Sequence, residues 1–387
     1  MVRLRTVTNG NGLDRPPMFQ SGVQLGVSRD FHTSIHAAFT EVNGAEVVSD
    51  YGDWLAEHAA LTTSAGVVDL SFRSRLCLMG ADRAQFLHGQ VTNDVNAIGS
   101  NSGCYAALVS NKGRMQSDLH IWRLADELLL DFEPGYGAAV TQRLEKFIVS
   151  DDVQVMDAAP HYGLVHIEGP SADTVIAQLQ LFSELPAKEL TSTHVNDPAL
   201  GLMYLMNLSR AGSRGFDLFI PVGSLDEVAG KLITAAQSIG GRACGWRALE
   251  TARIEAGIPR FGVDMDETNL PPETGIESRA MNYRKGCYIG QEVLNRLHTM
   301  GNVTRALRGL ILEKELSALP VRGDKLAMEK EIGRVTSAVF SPRLKTNIAL
   351  AYVRREQFAP GTELTLETKN GNSRALVAEL PFVKAAV

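Results

Sequence analysis

The sequence has no closely spaced cysteine pair, no long apolar run, no cationic excess and no nucleotide-binding glycine loop, and each absence closes a class of function. Cys77, Cys104, Cys244 and Cys287 lie 27, 140 and 43 residues apart, whereas zinc and iron–sulfur ligand pairs sit roughly two to four apart, so no metal site is expected and free thiols in a reducing compartment are. No apolar stretch approaches the ~18 residues of a membrane span, and the N-terminus lacks the apolar core of a secretory signal. A soluble, cytoplasmic chain with no membrane partner is the expectation. The 38 Lys and Arg against 44 Asp and Glu leave a net charge of -6, the wrong sign for a general nucleic-acid binder, whose affinity rests on neutralising phosphates. Any anion site must therefore be local. Neither a dinucleotide nor a phosphate-loop glycine motif occurs.

What is present is ordinary globular material: 387 residues, 44% of them apolar. That length usually divides into two or three domains, because single cores stop growing near ~250 to 300 residues. Residues 1–45 mix turn formers with scattered charge and hold no period, which predicts a mobile extension. Beyond Tyr51 the pattern is globular. A helix over 82–87 is expected to stop at Gly89, and strands over 105–110, 115–124 and 127–132 are separated by breaks short enough for hairpins. Val140, Leu144, Phe147 and Ile148 keep helical spacing on one face. Strands over 164–167, 203–208 and 216–221 then alternate with helices, one of them opened by a capping box of Ser224 and Glu227. Such short elements suggest α+β layers and not a parallel dinucleotide-binding sheet. After Leu307, five strand patterns at regular spacing suggest a small antiparallel barrel or sandwich, with a domain boundary near residue 305.

Chemistry concentrates in RKGCYIGQEVLNRLHTMGNVTRALRG, residues 284–309. Cys287 follows Lys285 by two residues and precedes a helix expected near Gly290. A helix N-terminus and an ammonium group both favour a thiolate, so Cys287 is the candidate reactive thiol. An inert buried cysteine is the competing interpretation. From Arg279 to Arg308 six cations face a single acid, Glu292, a local excess of +5 inside a chain of -6. A carboxylate or phosphate ligand would explain it, and so would a solvated helix face with Glu292 and Arg296 paired. Residues 253–273 hold Asp264, Asp266 and Glu267 without the ligand order of a calcium loop. There a turn fixed by Gly257, Pro259 and Gly262 is expected.

The run KGCYIGQE, Lys285 to Glu292, resembles the signature of the YgfZ family, folate-binding proteins of the aminomethyltransferase (glycine cleavage T-protein) superfamily implicated in making or repairing iron–sulfur clusters. GQVTNDV (89–95), RIEAGIPRFGVDMDET (253–268) and GRVTSAVFSPRLKTNIALAYV (333–353) resemble superfamily segments in the same order. The resemblance implies an α+β fold of T-protein type, a three-domain ring. Two interleaved α+β subdomains would span 46–305, with breaks near 155 and 245, and an antiparallel β-barrel would span 306–387. It implies tetrahydrofolate as the cofactor, bound in a central cleft. Asp217, in Gly215-Phe216-Asp217-Leu218, would read the pterin edge, because a carboxylate accepts the paired N–H donors there. Arg253 would line the cleft, Arg284 and Lys285 would meet the folate carboxylates, and Tyr288 and Gln291 would complete the folate side. Cys287, activated by Lys285, would act on iron–sulfur proteins or assembly factors. One departure weighs against glycine cleavage. Where aminomethyltransferases carry two adjacent aspartates, the first taken as catalytic, this chain has Ser117 and then Asp118, and a hydroxyl does not replace a carboxylate base. The leading expectation is thus a tetrahydrofolate-binding protein supporting iron–sulfur cluster assembly or repair. The alternative is a folate-dependent aminomethyl or methyl transferase, and whether the chain is an enzyme is left open.

Overall fold

The computed structural model describes residues 26–383, which form an α+β body of two packed sheets and a closed barrel. The first sheet has six strands in the order Ser192–Asp197, Gly201–Asn207, Gly215–Pro221, Tyr162–Glu168, Gly66–Asp69 and Arg242–Ala243. All neighbours in it are antiparallel except the last pair. The second has five: Ser102–Val109, Met115–Arg123, Leu128–Phe132, Ser74–Met79 and Gln154–Asp157. The chain enters the first sheet at Gly66–Asp69, crosses to the second, and returns at Tyr162–Glu168, so the two units interleave.

Strand alternation decides which residues meet. On one face of the first sheet Val165, Ile167, Phe216 and Leu218 are covered by helices Ala172–Gln178 and Leu225–Ser238, which contribute Val175, Ile176, Val228 and Leu232. On the opposite face Leu164, Met206 and Phe219 meet Cys77, Trp122 and Leu129 of the second sheet. The outer face of the second sheet buries Leu76, Leu78, Leu119 and Leu130 under Phe86, Leu87, Val140 and Leu144 of helices Arg83–Gln90 and Gly137–Glu145. Each fully buried Leu, Ile, Val or Phe adds about 1.5–3 kcal/mol over an exposed one.

The barrel runs Arg305–Leu312, Thr346–Arg354, Glu331–Ser341, Lys325–Ala327, Glu363–Thr368 and Gly371–Ala378, closed by pairing of the first strand with the last. Strand Thr346–Arg354 is buried along nearly its whole length. Alternate residues fill the barrel, while Ile348, Leu350 and Tyr352 face outward onto Ile254 and Leu307. That outward face docks the barrel on helix Trp246–Glu255.

Four local expectations are corrected. Inside the supposed extension, helix Arg29–Ser34 and the hairpin Ala38–Val42/Ala45–Asp50 are formed. The Ser28 hydroxyl accepts from Phe31 N–H, and Ser28 N–H donates to Asp226 2.7 Å away. Residues 1–25 lie outside the described region. The capping box is not made: Ser224 gives its hydroxyl to the carbonyl of Leu200, across the sheet. Helix Arg83–Gln90 continues through Gly89, and Phe147 falls beyond the end of helix Gly137–Glu145, where it is 37% exposed beneath the Arg143 guanidinium.

Candidate functional site

Between the two sheets, helix Trp246–Glu255 and the turn at 258–260, the structure encloses a chamber of about 70 Å³. Helical spacing places Trp246, Leu249 and Arg253 on its wall as one stripe, opposite Tyr105, Asp118 and His120 from the second sheet. The turn that supplies Ile258, Pro259 and Arg260 depends on Gly262 (φ +84°), where a Cβ would lie 2.3 Å from the Tyr136 hydroxyl. Ser209, Ile258 and Arg279 are shared with an outer cleft of about 770 Å³, bordered also by Arg308 and Phe358 of the barrel side.

The charges around the chamber form an alternating chain. Glu168 Oε2 lies 2.7 Å from His166, whose other nitrogen is 2.8 Å from Asp217. Asp217 receives Arg210, and Arg210 reaches Asp131 at 2.7 Å. Arg73 bridges Asp131 and Glu133 at 2.9 and 2.8 Å, and Glu133 accepts from Arg260 at 2.7 Å. Arg260 continues to Glu250, which accepts from Arg253, and Arg253 ends on Asp264, itself bonded to Thr336 and Ser337 of the barrel. Burial alone would drive these carboxylates to their neutral form. For Glu133 the Arg260 and Arg73 charges outweigh burial and hold its pKa at about 2, and Asp217 is likewise held low by Arg210 and His166. These charges are spent on one another.

Asp118 stands outside that chain. Its Oδ2 accepts the Tyr105 hydroxyl at 2.7 Å, while its Oδ1, shielded from solvent, has no hydrogen-bond partner among the described residues. Burial and the Glu133 charge push its pKa up to about 6. His120, tilted against the Tyr105 ring at 4.8 Å, is driven down to about 3 by burial and the Arg210 charge, so it is neutral. A carboxyl poised near neutrality, with one oxygen lacking a partner among the described residues and beside a Glu133 carboxylate already paired with two arginines, has the character of a general base. Since Asp118 stays protonated until the pH passes about 6, any turnover that needs it as a base rises about tenfold per pH unit below that value and levels off above it. A pH series of kcat checks this, and a profile flat from pH 4.5 to 8 contradicts it.

The structure distributes the sequence candidates differently from expectation. Ser117 is fully buried on the far face of its strand, with Leu108 and Leu119. Gln116 is an extra residue in the pairing with Ser102–Val109, so the alternation counted from Met115 reverses and Asp118, not Ser117, enters the chamber. The serine substitution therefore removes nothing from this site. Asp217 does not line the chamber, and both its oxygens are held by His166 and Arg210. Arg253 does reach the wall, with its guanidinium bonded to Glu250, Asp264 and Ser337.

The KGCYIGQE segment is a structural clasp. Lys285 is buried and donates to the backbone carbonyls of His88, Val91 and Asn93, so it turns away from Cys287, and burial lowers its pKa to about 8. Two of the resembling segments thus meet through one ammonium group. Tyr288 is buried with a hydroxyl lacking a partner among the described residues, and Gln291 reaches only the carbonyl of Gly286. Gly290 (φ +85°) opens helix Gln291–Met300, and a Cβ there would meet the Ser110 carbonyl at 2.5 Å. Arg284 is exposed. None of Arg284, Lys285, Cys287, Tyr288 and Gln291 lines the chamber or the outer cleft. Cys287 is exposed, whereas Cys77 and Cys244 are buried and Cys104 is intermediate. Burial raises the thiol pKa of Cys77 and Cys244, and that of Cys104 to about 12. Alkylation of the native protein is therefore expected to label Cys287 first, with Cys287→Ala leaving only slow sites; equal labelling of two or more cysteines contradicts this.

Two packed sheets with a polar chamber between them and a six-stranded barrel docked alongside are the architecture of one protein family. The chain matches the GCVT N-terminal domain over residues 28–285 and the glycine cleavage T-protein C-terminal barrel domain over 305–384. It belongs to the glycine cleavage T-protein family. Among curated relatives, the aminomethyltransferase of Shouchella clausii is 28% identical over 357 residues, covering 88% of this chain and 95% of that protein. That of Halalkalibacterium halodurans is 29% identical over 359 residues, covering 89% and 96%. The crystal structure of the glycine cleavage system aminomethyltransferase T from Bartonella henselae superposes with a TM-score of 0.82 at 23% identity, covering 92% of this chain and 97% of that one, a likeness of fold. Among the described residues no helix is long and apolar enough to cross a membrane, and no cluster of His, Cys, Asp and Glu could hold a metal ion.

Proposed function

We propose that the chain is a tetrahydrofolate-dependent one-carbon transferase in which Asp118 is the general base. The observation that carries this is Asp118 Oδ1, a shielded carboxylate oxygen without a partner among the described residues, in a chamber that opens onto a cleft large enough for a small molecule. The chemistry of the walls fits a folate. Trp246, Leu249 and Leu70 offer apolar surface, Tyr105 and Asp118 offer polar atoms, and Arg279 and Arg308 at the outer cleft suit the carboxylates of a glutamate tail. No carboxylate pairs with Arg279 among the described residues, and its guanidinium lies over the Tyr105 ring. Tetrahydrofolate supplies an amine nitrogen that accepts a one-carbon group. Asp118 takes at Oδ1 the proton that the accepting amine loses as the donor's carbon–sulfur bond breaks and passes it to the departing thiolate, Tyr105 orients the carboxylate through Oδ2, and Glu133 raises its basicity by charge. Asp118 Oδ1 and Tyr105 are shielded from bulk solvent. Incubating the protein with an S-aminomethyl thiol tests the reading: ammonia release that requires tetrahydrofolate supports it, and release indifferent to tetrahydrofolate overturns it.

The exposed thiol favours a second reading, in which the same folate protein, as the KGCYIGQE resemblance implies, serves iron–sulfur proteins or assembly factors from the cytoplasm through Cys287. Cells lacking the native protein, supplied with Cys287→Ala, are then expected to lose iron–sulfur enzyme activities that the wild type restores. Full rescue by Cys287→Ala removes this reading and leaves the transferase untouched.

A further inference from the structure

The strand next to the chamber carries a carboxylate with five donors. Glu168 is fully buried. Its Oε1 accepts the Ser209 hydroxyl at 2.9 Å and the N–H groups of Ala211 and Ser213 at 3.1 and 2.8 Å. Its Oε2 accepts the Arg210 N–H at 2.8 Å and lies 2.7 Å from His166 Nε2. An ionised carboxylate has about four acceptor positions, so this one is saturated. Four of the five donors come from one loop, residues 208–214, between strands Gly201–Asn207 and Gly215–Pro221, and the fifth is His166 of the same strand as Glu168. Inside it Gly212 (φ +81°) gives its N–H to the Ser209 hydroxyl at 2.9 Å.

The same loop builds both parts of the site. Ser209 and Arg210 line the inner chamber, while Ser209, Gly212 and Ser213 line the outer cleft. Leu208 and Ala211 anchor the loop in the core between the sheets, whereas Ser209, Arg210, Gly212 and Ser213, the residues that line the site, are held by polar contacts. The loop's N–H groups converge on a buried anion, as in other backbone nests. His166 sits between the Glu168 and Asp217 carboxylates with no exposure; burial opposes its charge, but hydrogen bonds and charges from those two acids outweigh it and raise its pKa. With a carboxylate oxygen at each ring nitrogen, His166 compensates Glu168 where water cannot.

We propose that Glu168, backed by His166, is a positioning residue: it holds loop 209–213 in the shape that reads the ligand, so folate affinity depends on a carboxylate outside the site. The inference rests on the folate reading above. Replacing Glu168 by Gln keeps the size but turns one acceptor oxygen into an NH₂ group facing convergent N–H donors.

The test is a tetrahydrofolate titration of the wild type, Glu168→Gln and Asp173→Asn. Asp173 is the control, because it pairs with Arg214 of the same loop at 2.9 Å from the solvent side. Glu168→Gln is expected to raise Kd and KM for tetrahydrofolate roughly tenfold with kcat within about threefold, and Asp173→Asn to change neither by more than about twofold. A folded Glu168→Gln that binds like the wild type overturns the proposal. If that variant does not fold, amide hydrogen exchange of the wild type decides. The Arg210, Ala211 and Ser213 amides are expected to exchange at least about a hundredfold slower than free peptide, and slower again with tetrahydrofolate. Fast exchange there overturns the proposal. A wild type that fails to bind tetrahydrofolate instead overturns the folate reading, and the exchange rates of the unliganded protein still test the clamp.

Discussion

Asp118→Asn is expected to lower tetrahydrofolate-dependent turnover by about 10²- to 10⁴-fold, the usual worth of a positioned general base, while leaving tetrahydrofolate affinity within about threefold. The amide is nearly the same size and still accepts the Tyr105 hydroxyl, so the chamber keeps its shape. What it loses is the proton-accepting oxygen. Ser117→Ala gives the contrast: its hydroxyl is buried on the opposite face and bonds only the neighbouring carbonyl of Asp118, so turnover is expected to change by less than about threefold. A large loss in Ser117→Ala with a small one in Asp118→Asn would reverse the assignment of the two positions. Steady-state kinetics of both variants, with binding measured separately, distinguishes these results.

Arg73→Met is expected to destabilise the two-sheet body by about 3–5 kcal/mol, the cost of stranding buried charge. Arg73 lies between Asp131 and Glu133, which keep only Arg210 and Arg260 once it is gone. Two carboxylates held ionised by paired cations then face the low-dielectric interior with half their compensation. Both must take up protons or admit water. Denaturant unfolding should show a lower midpoint at unchanged slope. The loss should shrink at acid pH, where protonation of the two acids removes the unpaired charge, since groups with depressed pKa values contribute stability above their ordinary range and lose it as pH falls. A loss below about 1 kcal/mol at neutral pH would mean that the charge chain is not a stabilising unit.

The α+β layering and the barrel were legible because hydrophobic alternation and turn spacing are local signals. Arg253 lies with Trp246 and Leu249 on one wall of the chamber, a stripe set by helical spacing. Asp118 was passed over because the resemblance pointed to the first position of the pair, Ser117, and only the fold shows that the bulge at Gln116 turns Asp118 into the chamber. Asp217 and Lys285 have partners that the sequence does not bring near them. Lys285 is consumed by carbonyls 192 to 197 positions away, and Asp217 by a histidine on the neighbouring strand, 51 positions away. A charged residue in a motif looks free until the fold supplies its counter-charge. Cys287 is the converse case: the motif around it clasps the backbone, and the thiol is left at the surface.

The most direct measurement is calorimetric titration of tetrahydrofolate into the purified protein, wild type beside Asp118→Asn, followed by the turnover assay on the same samples. Micromolar binding by both, with turnover confined to the wild type, is the result expected of a folate chamber whose base is Asp118. No binding by the wild type at high micromolar tetrahydrofolate, or equal turnover by the two proteins, would contradict it.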